Sequence, residues 1–448
     1  MKFKMKSICA ALAFAATSSA AYADNLLQIY QQALTNDPIV LQAKAQRDSL
    51  FEKIEQNRSG LMPTISGTVG YNKTWANSNP NAQGYSAGVT LSQNLYNHSV
   101  WIGLDLAEKA ATQADSQYAG ALQDLMMRVT SAYFDVLTAK DDYEFKKAEK
   151  RAIDRQLEQT KQRFAVGLTA ITDVHEAQAQ YDLATASEIL AQNTLDNSYE
   201  ALREITGVDH LNIDTLDTKR FSATPPSPQS SNEWLKLAEN KSIALTSDKI
   251  GKEIAKEAID AQWAGHLPTL SLNGSYNKNF NGKGQIPVDP TNPLNRNTVF
   301  DNIADSDSRS IGVTLNVPIF QGFAVSSQVK QAQYAYVTAS QKLEQTHRSV
   351  VKNVRNNFNN VKASISSIKA YEQSVLSSES ALKATQAGFE VGTRTIVDVL
   401  NRTRDLYNSK RQLSDARYSY IKSILALKQA AGTLNEDDII AINNGLNK

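Results

Sequence analysis

Two aspartates of this 448-residue chain sit in matching surroundings. Asp173 closes the run Arg163-Phe164-Ala165-Val166-Gly167-Leu168-Thr169-Ala170-Ile171-Thr172-Asp173, and Asp398 closes Gly388-Phe389-Glu390-Val391-Gly392-Thr393-Arg394-Thr395-Ile396-Val397-Asp398. In both, a Val-Gly pair suits the left-handed residue that ends a helix, and the acid falls in the first turn of the next. A carboxylate there is favoured by the helix dipole, and that role suffices for either acid. Catalysis has less to build on. His98, His175, His210, His266 and His347 show no paired metal-ligand spacing, and no Gly-rich phosphate loop occurs. A histidine such as His347 reads as a packing or capping group. No enzymatic activity, cofactor or resident metal is expected.

The turns belong to a larger duplication. The second lies 225 positions after the first. Leu61-Met62-Pro63-Thr64-Ile65-Ser66 returns as His266-Leu267-Pro268-Thr269-Leu270-Ser271, and Gly88-Val89-Thr90-Leu91 as Gly312-Val313-Thr314-Leu315. The unit is about half the chain, far longer than the 20 to 50 residues of a solenoid repeat. Nearly all of the drift in offset falls between Tyr71 and Gly88, so the second copy carries a longer loop there.

Residues 1–23 read as a secretory signal. Lys2, Lys4 and Lys6 precede an apolar stretch, Ile8 to Ala16, and Ala21-Tyr22-Ala23 offers a small-residue cleavage site before Asp24. Cys9, the only cysteine, leaves with that segment. Loss of the three lysines takes the 47 basic residues just below the 46 acidic ones, and near-neutrality argues against a nucleic-acid partner. No later segment has eighteen consecutive apolar residues, so no transmembrane helix is expected.

All eleven prolines lie outside 99–224 and 319–448, leaving both tracts free to be helical. Val354, Val361, Ile368, Val375, Leu382 and Phe389 recur every seventh residue, the period of helices coiled around neighbours. Val129, Val136, Tyr143, Leu157 and Phe164 match them, with Lys150 interrupting. Long helices are expected over about 98–164 and 322–388, each on the order of 100 Å long at 1.5 Å per residue. They are followed by helices at about 169–206 and 394–431. Residues 39–60 and 244–266 make one shorter helix each.

Four segments alternate instead with period two, at about 63–75, 84–96, 268–280 and 309–320. Ile65, Val69, Tyr71, Val89, Leu91, Leu272, Val313 and Leu315 fall on one side, and Ser66, Thr68, Thr90, Asn273, Ser275 and Thr314 on the other. One greasy side and one uncharged polar side, over ten or so residues, is the signature of membrane-barrel strands. Tyr71, Trp75, Tyr85, Tyr276 and Phe280 would form an aromatic rim. Four strands cannot close a barrel, and lipid does not tolerate open edges. The barrel must be shared between chains, with eight strands from two copies or twelve from three. The division expected is signal 1–23, first repeat 24–221, linker 222–232, second repeat 233–432 and a C-terminal segment 433–448.

Over its whole mature length the chain resembles the TolC family of outer-membrane efflux proteins. The carrying residues are the turns Val166–Val174 and Val391–Val399, Leu267-Pro268-Thr269-Leu270, Ser326-Ser327-Gln328-Val329-Lys330-Gln331-Ala332, His347-Arg348-Ser349-Val350-Val351 and Ala431-Gly432-Thr433-Leu434-Asn435. The resemblance implies a mixed α and β fold, in which a homotrimer shares a twelve-stranded barrel in the outer membrane of a Gram-negative bacterium. An α-helical tunnel would reach across the periplasm from it. As partners it implies a periplasmic adaptor (a membrane fusion protein), an inner-membrane efflux pump or ABC secretion transporter, and outer-membrane lipid. The function implied is a passive exit duct for drug efflux and type I protein secretion.

The resemblance also places Thr172, Asp173, Phe389, Arg394, Asp398 and Asn401 at a narrow periplasmic gate, with Arg394 linking to Asp173 and Thr172. A ring of Asp398 would attract cations and bind a blocking metal. Gly167 and Gly392 would meet adaptor hairpins. The family often has tyrosine where Phe389 stands and a second acid where Asn401 stands, so an easier gate and weaker cation selectivity are expected. The rival class is a periplasmic coiled-coil adaptor, which would be released in plain buffer rather than extracted by detergent.

Overall fold

A computed structural model describes residues 24–74, 82–287, 298–302 and 304–447. The proposed leader with Ala23, the tip of the first hairpin with Trp75, and 288–297 of the longer loop lie outside them. The chain runs α1 (Leu26–Asn36), α2 (Pro38–Ser59), β1 (Thr64–Thr74), β2 (Ala82–Tyr96), α3 (His98–Ala165) and α4 (Ile171–Thr206). The second half repeats this order as α5 (Ser231–Lys241), α6 (Ile243–Trp263), β3 (Thr269–Asn281), β6 (Ser306–Asn316), α7 (Ala324–Glu390) and α8 (Ile396–Ala430). A small hairpin, β4 (Lys283–Pro287) with β5 (Thr298–Asn302), is inserted between β3 and β6, and α9 (Glu436–Asn443) ends the chain.

The two expected long helices are present, α3 with 68 residues and α7 with 67. Several expectations need correction. The last strand stops at Asn316 rather than 320, ahead of Pro318, whose ring removes a ladder donor. The helices after the two turns begin at Ile171 and Ile396, two residues later than expected at each turn. The linker 222–232 is shorter than expected, because α5 begins at Ser231. Asn435 and Asp438 form a reciprocal cap that starts α9, and Leu446 bridges to Leu216.

Near mid-length these short elements wrap the long helices as a collar. Leu26 and Ile29 of α1, Tyr133, Phe134 and Leu137 of α3, Val354 and Val361 of α7, Leu425 and Leu427 of α8, and Ile439 of α9 share one buried core. The heptad valines therefore pack where the collar encloses them. Lys150, the interruption in the first series, reaches Glu188 Oε2 at 2.8 Å on α4, so its charge is paired while its stem lies on the seam.

The four long strands form one antiparallel sheet in the order β1-β2-β3-β6. Its register puts Ile65 opposite Leu91, Val89 opposite Tyr276 and Leu272 opposite Val313, so one face collects the apolar residues of all four strands. That face is bare: Val69 is 87% exposed and Ile311 80%. The other face carries a hydroxyl and amide ladder, with Ser66 to Thr90 at 2.6 Å, Ser275 to Ser310 at 2.8 Å and Ser92 to Asn273 at 3.1 Å. Both outer edges, on β1 and β6, are open in the single chain. Among the described residues no helix is long and apolar enough to cross a membrane.

Candidate gate at the tips of the long helices

Far from the sheet, α3 and α7 end and α4 and α8 begin around a second, smaller apolar cluster. Ile153 and Leu157 of α3 and Ala177 and Ala184 of α4 meet Phe389 of α7 and Ile396, Val399 and Leu400 of α8. The chain reverses beside it at two exposed turns. Gly167 at φ 75° and Gly392 at φ 77° hold the left-handed conformation that closes each long helix. Leu168 N donates to Arg163 O at 2.9 Å and Thr393 N to Gly388 O at 2.8 Å, satisfying carbonyls the helices leave open. A Cβ added to either glycine would meet nothing within 4 Å, so conformation rather than crowding in this chain demands them.

The two turns cap their next helices differently. Thr395 and Asp398 form a reciprocal cap: Asp398 N donates to Thr395 Oγ1 at 3.3 Å, while Thr395 N and Oγ1 donate to Asp398 Oδ2 at 3.0 and 2.9 Å. These bonds, backbone first, with the charges of Arg394 and Arg402, hold the Asp398 carboxyl below its usual range and keep it ionised. In the first copy the cap position is Ala170, and Thr169 Oγ1 donates to Asp173 from one residue further out. Both acids thus do the local work expected at a helix start.

Arg394 does not reach Asp173 or Thr172 within this chain; among the described residues its charge acts on Asp398. Its stem lies over Gly388, where a Cβ would come to 2.8 Å from Arg394 Cγ. Thr172 is exposed on the first turn of α4, and Asn401 half-buried on the second turn of α8. The structure adds one residue that sequence reasoning missed. Arg163 Cζ sits 4.6 Å from the centroid of the buried Phe389 ring, joining the end of α3 to the end of α7. The repeat contained the signal: Arg163 aligns with Gly388 and Thr169 with Arg394, so the arginine has changed sides of the turn between copies.

A sheet apolar on one side and lined with hydroxyls and amides on the other, set on a coil of helices about 100 Å long, defines an outer-membrane duct. The outer membrane efflux protein family model matches residues 29–208 and 234–433, one match per repeat, and the chain belongs to that family. It is 49% identical to the outer membrane protein TolC of Vibrio cholerae serotype O1 over 99% of this chain and 98% of that protein. Identity to the outer membrane protein TolC of Escherichia coli strain K12 is 43%, over 99% and 90%. Among solved structures it matches CusC with a TM-score of 0.76 at 15% identity, covering 92% of each chain, a likeness of fold. The chain is thus an outer-membrane efflux and secretion channel rather than a soluble adaptor.

Proposed function

We propose that three copies of this chain assemble into a closed duct, gated at the helix tips and opened when a periplasmic adaptor docks there. The sheet carries this reading: its apolar face is exposed, its polar face is already hydrogen-bonded, and its two edges are open. In hydrocarbon those edges must pair, so β6 of one copy joins β1 of the next and twelve strands enclose water. The residues before Asp24 act as the export signal, and the two repeats supply two helical hairpins per copy to the tunnel wall. Energy comes from an inner-membrane pump or ABC secretion transporter reached through the adaptor, which approaches closely at Gly167 and Gly392.

Gating follows from what Arg394 lacks. With no carboxylate partner for it at the first turn's Asp173 inside one copy, the Arg394 link to Asp173 and Thr172 is made between neighbouring copies. Such a link holds the tips closed and is released when they splay. Asp398, kept ionised by its own cap, supplies one ring of negative charge facing the axis. Phe389 has no hydroxyl and Asn401 no charge, so the gate opens more easily and discriminates among ions less than one with tyrosine and an acid there.

Single-channel conductance in planar bilayers tests both parts. Arg394→Ala is expected to raise the resting open fraction by on the order of tenfold, the effect of losing one charged hydrogen bond of about 1.5 kcal/mol. Asp398→Asn is expected to lower the preference for cations and to weaken block by multivalent cations. Unchanged resting conductance in the first variant removes the latch. Unchanged selectivity in the second removes the ring.

A further inference from the structure

The apolar face of the sheet is not apolar to its end. Near the loops, Lys278 of β3 and Arg309 of β6 replace the aliphatic residues that hold the same face lower down. The register fixes their side: Lys278 lies opposite Ala87 and Asp307, and Arg309 opposite Tyr276, in line with Val89, Leu272 and Leu315. Lys278 Nζ stands 5.0 Å from the Phe280 ring centroid, and Arg309 Cζ 5.3 Å from that of Tyr276. The neighbouring anion is Asp307, whose Oδ2 is 3.5 Å from Arg309 Nη2, and the Arg309 side chain is 76% exposed. Lys73 of β1 shares this face two residues beyond Tyr71, and Lys278 and Arg309 stand on it among aromatic rings with one acid beside them.

A cation on the lipid side is strongly unfavourable at mid-bilayer and tolerated only near an interface. Arg309 is six residues above Leu315, about 20 Å along the strand, at the end away from the helical body. Aromatic residues at the same level, Tyr71, Tyr85, Tyr276 and Phe280, mark an interfacial girdle. With the helices on the periplasmic side, this end lies in the outer leaflet, at headgroup depth.

We propose that Lys278 and Arg309 form a binding site for a phosphate group on the headgroup of an outer-leaflet lipid, one site per copy. Arg309 offers a planar fork for two phosphate oxygens and Lys278 a point charge one row above it. The small Ala87 opposite Lys278 leaves room for the headgroup, and the aromatic rings take the start of the acyl chains. The site rests on the outer-membrane reading of the sheet but not on the gate.

Native mass spectrometry of the detergent-extracted assembly, titrated with a diphosphorylated lipid A, with the same lipid stripped of its phosphates, or with inorganic phosphate, tests the site. The phosphorylated lipid is expected to bind about tenfold more tightly than the stripped one, given the attraction of two cations to an anionic headgroup. The K278Q/R309Q variant is expected to bind both lipids alike, and the charge-retaining K278R/R309K variant to restore the difference. Inorganic phosphate is expected not to displace the lipid. Equal binding of the two lipids by the unaltered protein overturns the proposal, and that comparison stands even if a variant fails to assemble. Displacement by inorganic phosphate, or unchanged preference in K278Q/R309Q, overturns it as well. Lipid extraction without any assembly would instead count against the shared barrel.

Discussion

Replacing Gly432 with alanine is expected to destabilise the collar by about 3 kcal/mol or more, from a left-handed alanine and an overpacked contact together. Gly432 follows α8 at φ 68°. A Cβ there would stand 2.1 Å from Lys241 O, 2.5 Å from Lys241 C and 2.8 Å from Ser242 Cα. All three are backbone atoms at the junction of α5 and α6, so no rotamer change relieves the clash. The end of α8 would have to lift from that junction, loosening Leu427 and Ala431 in the common core. Gly392→Ala is the matched control. It shares the positive φ but meets open space, so its cost is limited to about 1–2 kcal/mol of backbone strain. Urea or thermal midpoints of the two variants decide the matter. Equal midpoints would mean that the clash is absorbed and the argument is wrong.

Arg128→Met is expected to cost about 3–5 kcal/mol, the usual result of stranding one member of a buried ion pair. Asp37 lies between α1 and α2 with its side chain 2% exposed. It accepts from Val40 N at 2.9 Å, capping α2 ahead of Pro38, and from Arg128 Nη1 and Nη2 at 2.8 Å each. The Arg128 hydrogen bonds lead in holding the Asp37 carboxyl below its usual range. Its contribution is then fully present above the unfolded value near pH 4 and is lost as pH falls through the lower folded value. In Arg128→Met the sign reverses, because a buried carboxylate without its guanidinium gains from protonation. Unfolding by urea at pH 7 and pH 4 measures this: the variant's deficit should shrink in acid. Asp37→Asn with Arg128→Met should recover part of the loss at pH 7. A deficit that does not change with pH would show that lost packing, not stranded charge, is the cause.

Much of this architecture was legible in the chain because it is written locally. Strand faces repeat every second residue and coiled helices every seventh, so Val89 with Leu91 and Val354 with Val361 announce their elements without reference to distant partners. Duplication did the rest, since each reading was made twice. The short helices α1, α5 and α9 were missed for the opposite reason. Eleven, eleven and eight residues long, they are held by packing against a core assembled from the whole chain rather than by their own periodicity.

At the tips the same division holds. Gly167, Gly392, Asp173 and Asp398 could be placed from sequence because caps and left-handed turns are contacts among residues a few positions apart. That Arg163 stacks on Phe389 and that Arg394 stays clear of Asp173 in its own copy was decided only in three dimensions. The same is true of Asp37 with Arg128, and of buried His210, which joins the carboxylate of Asp24 at 2.8 Å to Thr206 at 3.0 Å. Periodicity fixes which way a side chain points, but an ion pair or ring contact depends on where two distant helices cross. That crossing is a property of the packed core.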